Sequence, residues 1–238
     1  LFTNGEQEDS ILSQLVITGG GNVVNGGGIE CNGTSPKIID CVITGNVAQD
    51  AAGIFCRAGA APVITNCLIE NNVASGSGSC ILVNLGSSPL ITNCEIIGNS
   101  ANANQTGRGV STGYGSGGGG FYSLDSDPTL VNCRIEQNVA FRGAGLFCTG
   151  GCEFIGCQIV GNSANLNSSS TRGGGVYSYG SRFVECLITG NTSTLGGGMY
   201  LGGATLIEDC VIQGNNALDG GGIYGSPSGG PIVMGTAI

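Results

Sequence analysis

Two carboxylates are placed where a repeat could bring them together. Glu185 and Asp209 each stand immediately before a Cys-x-Ile string, 24 residues apart. If those strings lie on successive coils, the two carboxyl groups sit about 5 Å from each other, a separation suited to retaining glycoside hydrolysis or to a cation. They are the candidate catalytic residues. The structural alternative is a polar corner, and it is favoured, because the equivalent positions hold Asn66, Asn93 and Asn132 and need no charge. Asp125 and Asp127, in Ser-Leu-Asp-Ser-Asp-Pro-Thr, are a candidate calcium site. Two acids in a turn leading to Pro128 are also ordinary turn residues. No other metal or cofactor site is expected. With no His anywhere, imidazole bases, Ser-His and Cys-His arrangements and His-containing zinc sites are excluded.

Twelve Cys are present, none in a CxxC pair. Seven of them open the Cys-x-Ile strings at 41, 67, 94, 133, 157, 186 and 210, and are expected to be small buried hydrophobes with free thiols. Side chains stacked in register point the same way and are poorly placed for bridging. Cys148 and Cys152 instead flank a Thr-Gly-Gly turn and form the best disulfide candidate.

The strings are spaced 26, 27, 39, 24, 29 and 24 residues apart, with Leu15-Val16-Ile17 as a weaker first copy 26 residues before the first. Five residues after each Cys comes Asn: 46, 72, 99, 138, 162, 191 and 215. A Gly-rich step leads to one apolar residue, and a further apolar position lies three before the next Cys, often two after a Pro. Short alternation of apolar and variable residues is the period of a strand, not a helix. Units of this size with three short strands cannot bury an apolar face alone, but they can when stacked. The sequence thus predicts an all-β, parallel β-helix of about eight coils rising roughly 4.8 Å each, one domain over residues 1–238. Asn at the corners is expected to hydrogen-bond the coils above and below.

One outward column, running Glu30, Phe55, Leu82, Tyr122, Phe147, Tyr177, Tyr200, Tyr224, carries five consecutive aromatics. Cross-coil packing is its bland reading. The sharper one is a binding strip for sugar rings or a protein partner, flanked by the insertions 100–116, which includes Tyr114, and 163–172. Across the third face, Glu95 and Arg134 are expected to form an exposed ion pair.

The strings GGGIECNGTSPKIIDCVITGNVA (26–48), APVITNCLIENNVA (61–74) and GGGMYLGGATLIEDCVIQGNNA (196–217) resemble the right-handed parallel β-helix repeats of bacterial secreted and surface proteins. More distantly they are similar to the Gly-Gly-x-Ile repeats of chlamydial polymorphic outer membrane proteins, whose Phe-x-x-Asn partner motif does not recur here. The resemblance implies an extracellular or cell-surface structural or adhesive module, noncatalytic, contacting polysaccharide or assembling into filaments. It also implies the rival, a polysaccharide lyase or glycoside hydrolase. Lyases of that kind use Arg or Lys beside an acidic calcium cluster, and here Lys37 is the single lysine, with no matching cluster.

The net charge of −9 lacks the basic footprint that phosphate backbones require, so nucleic acid is not expected as a partner. No apolar run approaches a membrane-spanning length, so insertion is not expected either. No cap covers the first or the last copy, which suggests a segment of a longer chain or end-to-end association, with further coils or a second copy as partner.

Overall fold

The computed structural model describes residues 6, 9–21, 23–76, 79–101, 117–164, 170–227 and 230–238. Every element named among them is a strand, and all pairing is parallel. Three long sheets form the walls of a solenoid. A glycine-led sheet runs from Ile29–Asn32 through Phe121–Leu124 and Leu146–Thr149 to Ile223–Gly225. A proline-led sheet runs from Ile11–Ser13 to Ile232–Met234, and a cysteine-led sheet from Val16–Thr18 to Val211–Gln213. In each, every strand pairs with its equivalent one coil away, so the register follows the repeat found in the sequence. The first two pairings of the proline-led sheet, for example, join Leu12 to Ile38 and Ile38 to Ile64. A fourth, two-residue sheet at Val47–Ala48, Val73–Ala74 and Ser100–Ala101 was not anticipated by the strand pattern.

Alternation explains which side chains point in. In the proline-led and cysteine-led strands of the coils between the ends only the middle residue is buried, and the core stacks Ile on Ile along the columns Ile38, Ile64, Ile91 and Ile43, Ile69, Ile96. Where the column enlarges, the rings follow suit: Phe154 and Phe183 stack with centroids 4.8 Å apart, and Phe121 meets Phe154 edge-on at 6.3 Å. Between the end coils the inward side chains are buried in one packed cluster, so every inward position is constrained in size.

Between the proline-led and cysteine-led strands the chain turns through one residue with positive φ. Asp40, Asn66, Asn93, Asn132, Gly156, Glu185, Asp209 and Gly235 all occupy it, with φ between 50° and 61°. Left-handed backbone is tolerated by Gly and by Asn and Asp far better than by other residues. The preference for Asp, Asn and Gly in this column therefore has a backbone reason, although Gln14, at φ 57°, and Glu185 occupy it as well.

Candidate functional site

Three groups of side chains were singled out by the sequence, and the structure gives each a local setting. Glu185 and Asp209 lie on successive coils, linked by the Glu185 N–H donating to the Glu208 carbonyl at 3.0 Å, and both side chains are exposed. They do belong to neighbouring corners, as expected. The carboxylate of Asp209, however, reaches over the following coil, where Oδ1 fills the space a Cβ on Gly235 would need. The same lean recurs along the column: the Asp40 carboxylate accepts from Asn66 Nδ2 at 3.1 Å, and Asn132 Oδ1 lies over Gly156. Asp40, Asn132 and Asp209 thus act along the axis, each on its successor.

Asp125 occupies another left-handed corner, with φ of 47°, and Asp127 accepts the Gly151 N–H at 2.9 Å on the next coil. Both are exposed turn residues. Among the described residues, no group of three or more His, Cys, Asp or Glu side chains is arranged to hold a metal ion.

The aromatic column departs from the open strip that the outward alternation led us to expect. Phe55, Tyr122, Phe147, Tyr177 and Tyr200 are all buried, the most exposed of them at 5%, and Tyr224 is half-buried. The rings stack nearly parallel, with centroids 4.6 Å apart from Tyr122 to Phe147 and from Phe147 to Tyr177, then 5.1 Å to Tyr200 and 5.4 Å to Tyr224. With Leu82, Leu124 and Ala51 they form a second apolar cluster outside the coil interior.

The cover comes from the turn that precedes each glycine-led strand. There Arg142, Arg172, Leu195 and Asp219 pair in a ladder of bridges, each followed by a left-handed Gly. At Gly173 a Cβ would collide with the carbonyl oxygen of Val176, so the tight return needs glycine. The long side chains just before those glycines fold onto the rings: the Arg172 guanidinium lies 5.2 Å from the centroid of Tyr200, and Leu195 packs against the cluster. Tyr179 tilts against Tyr177 at 5.5 Å and donates its hydroxyl to Ser226 at 3.2 Å. At the other end, Arg57 covers Phe55 at 5.6 Å while pairing with Glu30 at 2.7 Å. Burial pushes the Tyr177 phenol well above its ordinary range. The repeated long-residue-then-Gly step was the signal for this lid, and strand alternation alone misses it. Tyr114 and most of the two insertions lie outside the described residues.

The asparagine column is the ladder the sequence implied. Asn138 is typical: its Nδ2 donates to the Ile96 carbonyl at 2.9 Å on the preceding coil and to Asn162 Oδ1 at 3.0 Å on the following one. Its own Oδ1 accepts both the backbone N–H and the Nδ2 of Asn99, at 2.9 and 3.1 Å. The cysteine column does similar work with thiols. Cys67 donates to the Thr65 carbonyl at 3.3 Å and to the Ile38 carbonyl at 3.5 Å, and Cys94 Sγ accepts the Cys67 N–H at 3.4 Å. At the last copy Thr236 takes the place of Cys, accepting from Cys210 N at 3.2 Å and donating to Met234 at 3.0 Å. All twelve Cys are free and buried, Cys148 and Cys152 included.

The expected pair of Glu95 and Arg134 is replaced by another. They are register partners, but Arg134 turns to Glu136 on its own strand at 2.6 Å. A charge ladder does form on the proline-led face, where Arg182 bridges Glu153 at 2.5 Å and Glu208 at 2.6 Å across three coils.

A family model described as a right handed beta helix region matches residues 6–193. No curated protein matches the chain, and no solved structure does.

Proposed function

The chain belongs to the right-handed β-helix family, and from that premise we propose that it is a noncatalytic structural and adhesive solenoid of the cell surface or extracellular space. The observation that carries this reading is the use of the conspicuous columns. Asparagines, thiols, corner carboxylates and aromatic rings each act on the next coil, so their chemistry is directed at building a rod. A rod of stacked coils presents long outer faces to a partner, which suits adhesion and assembly.

Its partners in this reading are further β-helix coils, of the same chain or of a second copy, and polysaccharide. Polysaccharide is assigned to the end of the aromatic column, where the Tyr224 ring is half-buried and offers a flat apolar surface with a polar tip. No cofactor enters the proposal.

The rival reading, a polysaccharide lyase or glycoside hydrolase, rests on Glu185 and Asp209 being exposed on successive coils. One experiment separates the two. The protein is incubated with a panel of neutral and acidic polysaccharides, and both binding and new chain ends are measured. Binding without turnover, weakened by Tyr224→Ala, supports the module. Turnover abolished by Glu185→Gln or Asp209→Asn establishes the enzyme, and neither binding nor turnover removes the polysaccharide from the proposal.

A further inference from the structure

The twelve thiols are not equivalent. Those of the cysteine-led column each donate to a backbone carbonyl two residues back, at 3.2 to 3.5 Å, which fixes the sulfur between two strands. Cys148 belongs to a different inward column, between Ser123 and Ser178. Its polar neighbour is Cys152, four residues on, across the turn Thr149-Gly150-Gly151. Cys152 has one weak acceptor, the Ser126 carbonyl at 3.9 Å. Both side chains are at most 1% exposed, both belong to the same buried core, and they interact with each other. The turn above them carries two residues without side chains, of which Gly151 is exposed, so a local opening of a few backbone atoms uncovers the pair.

We propose that Cys148 and Cys152 are a dithiol–disulfide site, closed by exchange with a low-molecular-weight disulfide such as oxidised glutathione. The Cys152 thiolate attacks one sulfur of the reagent, giving a mixed disulfide and expelling one glutathione thiolate. Cys148 then loses its proton, attacks the Cys152 sulfur and expels the second. The protein loses two protons and two electrons, and the reagent leaves as two thiols.

The order of attack follows from the surroundings. A hydrogen bond from Cys148, with the Ser123 and Ser181 hydroxyls beside it, holds the Cys152 thiol below its ordinary range, whereas burial pushes Cys148 up. Thiolate is the attacking form. The bond would join two neighbouring inward positions of one coil, a pairing the in-register column does not offer.

The test is made on the intact protein, fully reduced and then equilibrated in glutathione buffers of graded oxidised-to-reduced ratio. Intact mass reports how many hydrogens are lost, and a peptide map after alkylation locates the bond. The expected result is a single two-hydrogen loss mapping to Cys148–Cys152, with the other ten thiols alkylated only after denaturation. The loss should vanish in C148S and in C152S and persist in C31S. Serine is the residue that flanks Cys148 in its column and follows Cys152 in the next coil, at Ser181, so these variants use the fold's own alternatives. A variant that failed to fold would reveal itself by oxidising at many sites. The proposal is overturned by a bond mapping elsewhere, Cys31–Cys56 above all, by a loss that survives C152S, or by no bond at any ratio. As a second readout, the oxidised protein should melt at a higher temperature than the reduced one, and C148S should show no such shift.

Discussion

The asparagine column and the aromatic column both run from coil to coil, yet they tolerate change very differently. All seven positions from Asn46 to Asn215 hold Asn, whereas the ring column begins with Glu30 and passes through Phe55 and Leu82 before it settles on Tyr and Phe. Geometry explains the contrast. Each mid-stack Asn donates in one direction, both donates and accepts in the other, and closes a backbone N–H as well; no other side chain offers that set at that reach. The ring column asks for apolar volume under a lid, and Leu82, 2% exposed, supplies it nearly as well as Phe. A directional ladder fixes identity, while a packed stack fixes size.

The sharpest way to break this contrast is to remove volume where the stack is most enclosed. Phe147→Ala should lower unfolding free energy by about 3–5 kcal/mol, read by chemical denaturation, since Phe147 is fully buried between Tyr122 and Tyr177. Next in size comes the ladder: Asn138→Ala takes one donor from the Ile96 carbonyl and removes the acceptor of the buried Asn99 N–H, at a cost of about 2–4 kcal/mol. Conservative changes should then reverse the order. Phe147→Leu is expected to cost about 1–2 kcal/mol, well below Asn138→Leu; equal losses would show that the two columns obey one rule. A gentler probe is Cys133→Ser, in a column where Thr236 already substitutes a hydroxyl for a thiol; a loss of roughly 1 kcal/mol or less is the expected outcome of a thermal melt. The smallest effect belongs to Asp209→Asn, which keeps the left-handed corner and should stay within about 0.5 kcal/mol.

Much of the solenoid was legible because its signals are periodic. Cys-x-Ile and the Asn five residues later fixed the register, and the pairings of Ile43 with Ile69 and Ile96 with Ile135 follow from string position alone. The Asn ladder followed from residue type. What escaped was whatever lies outside the pleat. Alternation says that Tyr122 and Tyr177 point away from the coil interior, and they do; it carries no information about a lid folded over them by Arg172 and Leu195. The corner column was legible as polar but not as left-handed, and only the backbone explains why Glu185 and Asp209 share it with Gly156. Arg134 chose a partner on its own strand over the one across it, a choice that rotamers make and spacing does not.

The ladder contacts are the same whatever separates their members in the chain. Asn99 reaches Asn138 over 39 residues at 2.9 Å, and Asn138 reaches Asn162 over 24 at 3.0 Å. Residues added at a turn therefore leave the height of a storey alone. Along its axis the molecule is a ruler graduated in coils, and its length is measured by counting asparagines, not amino acids.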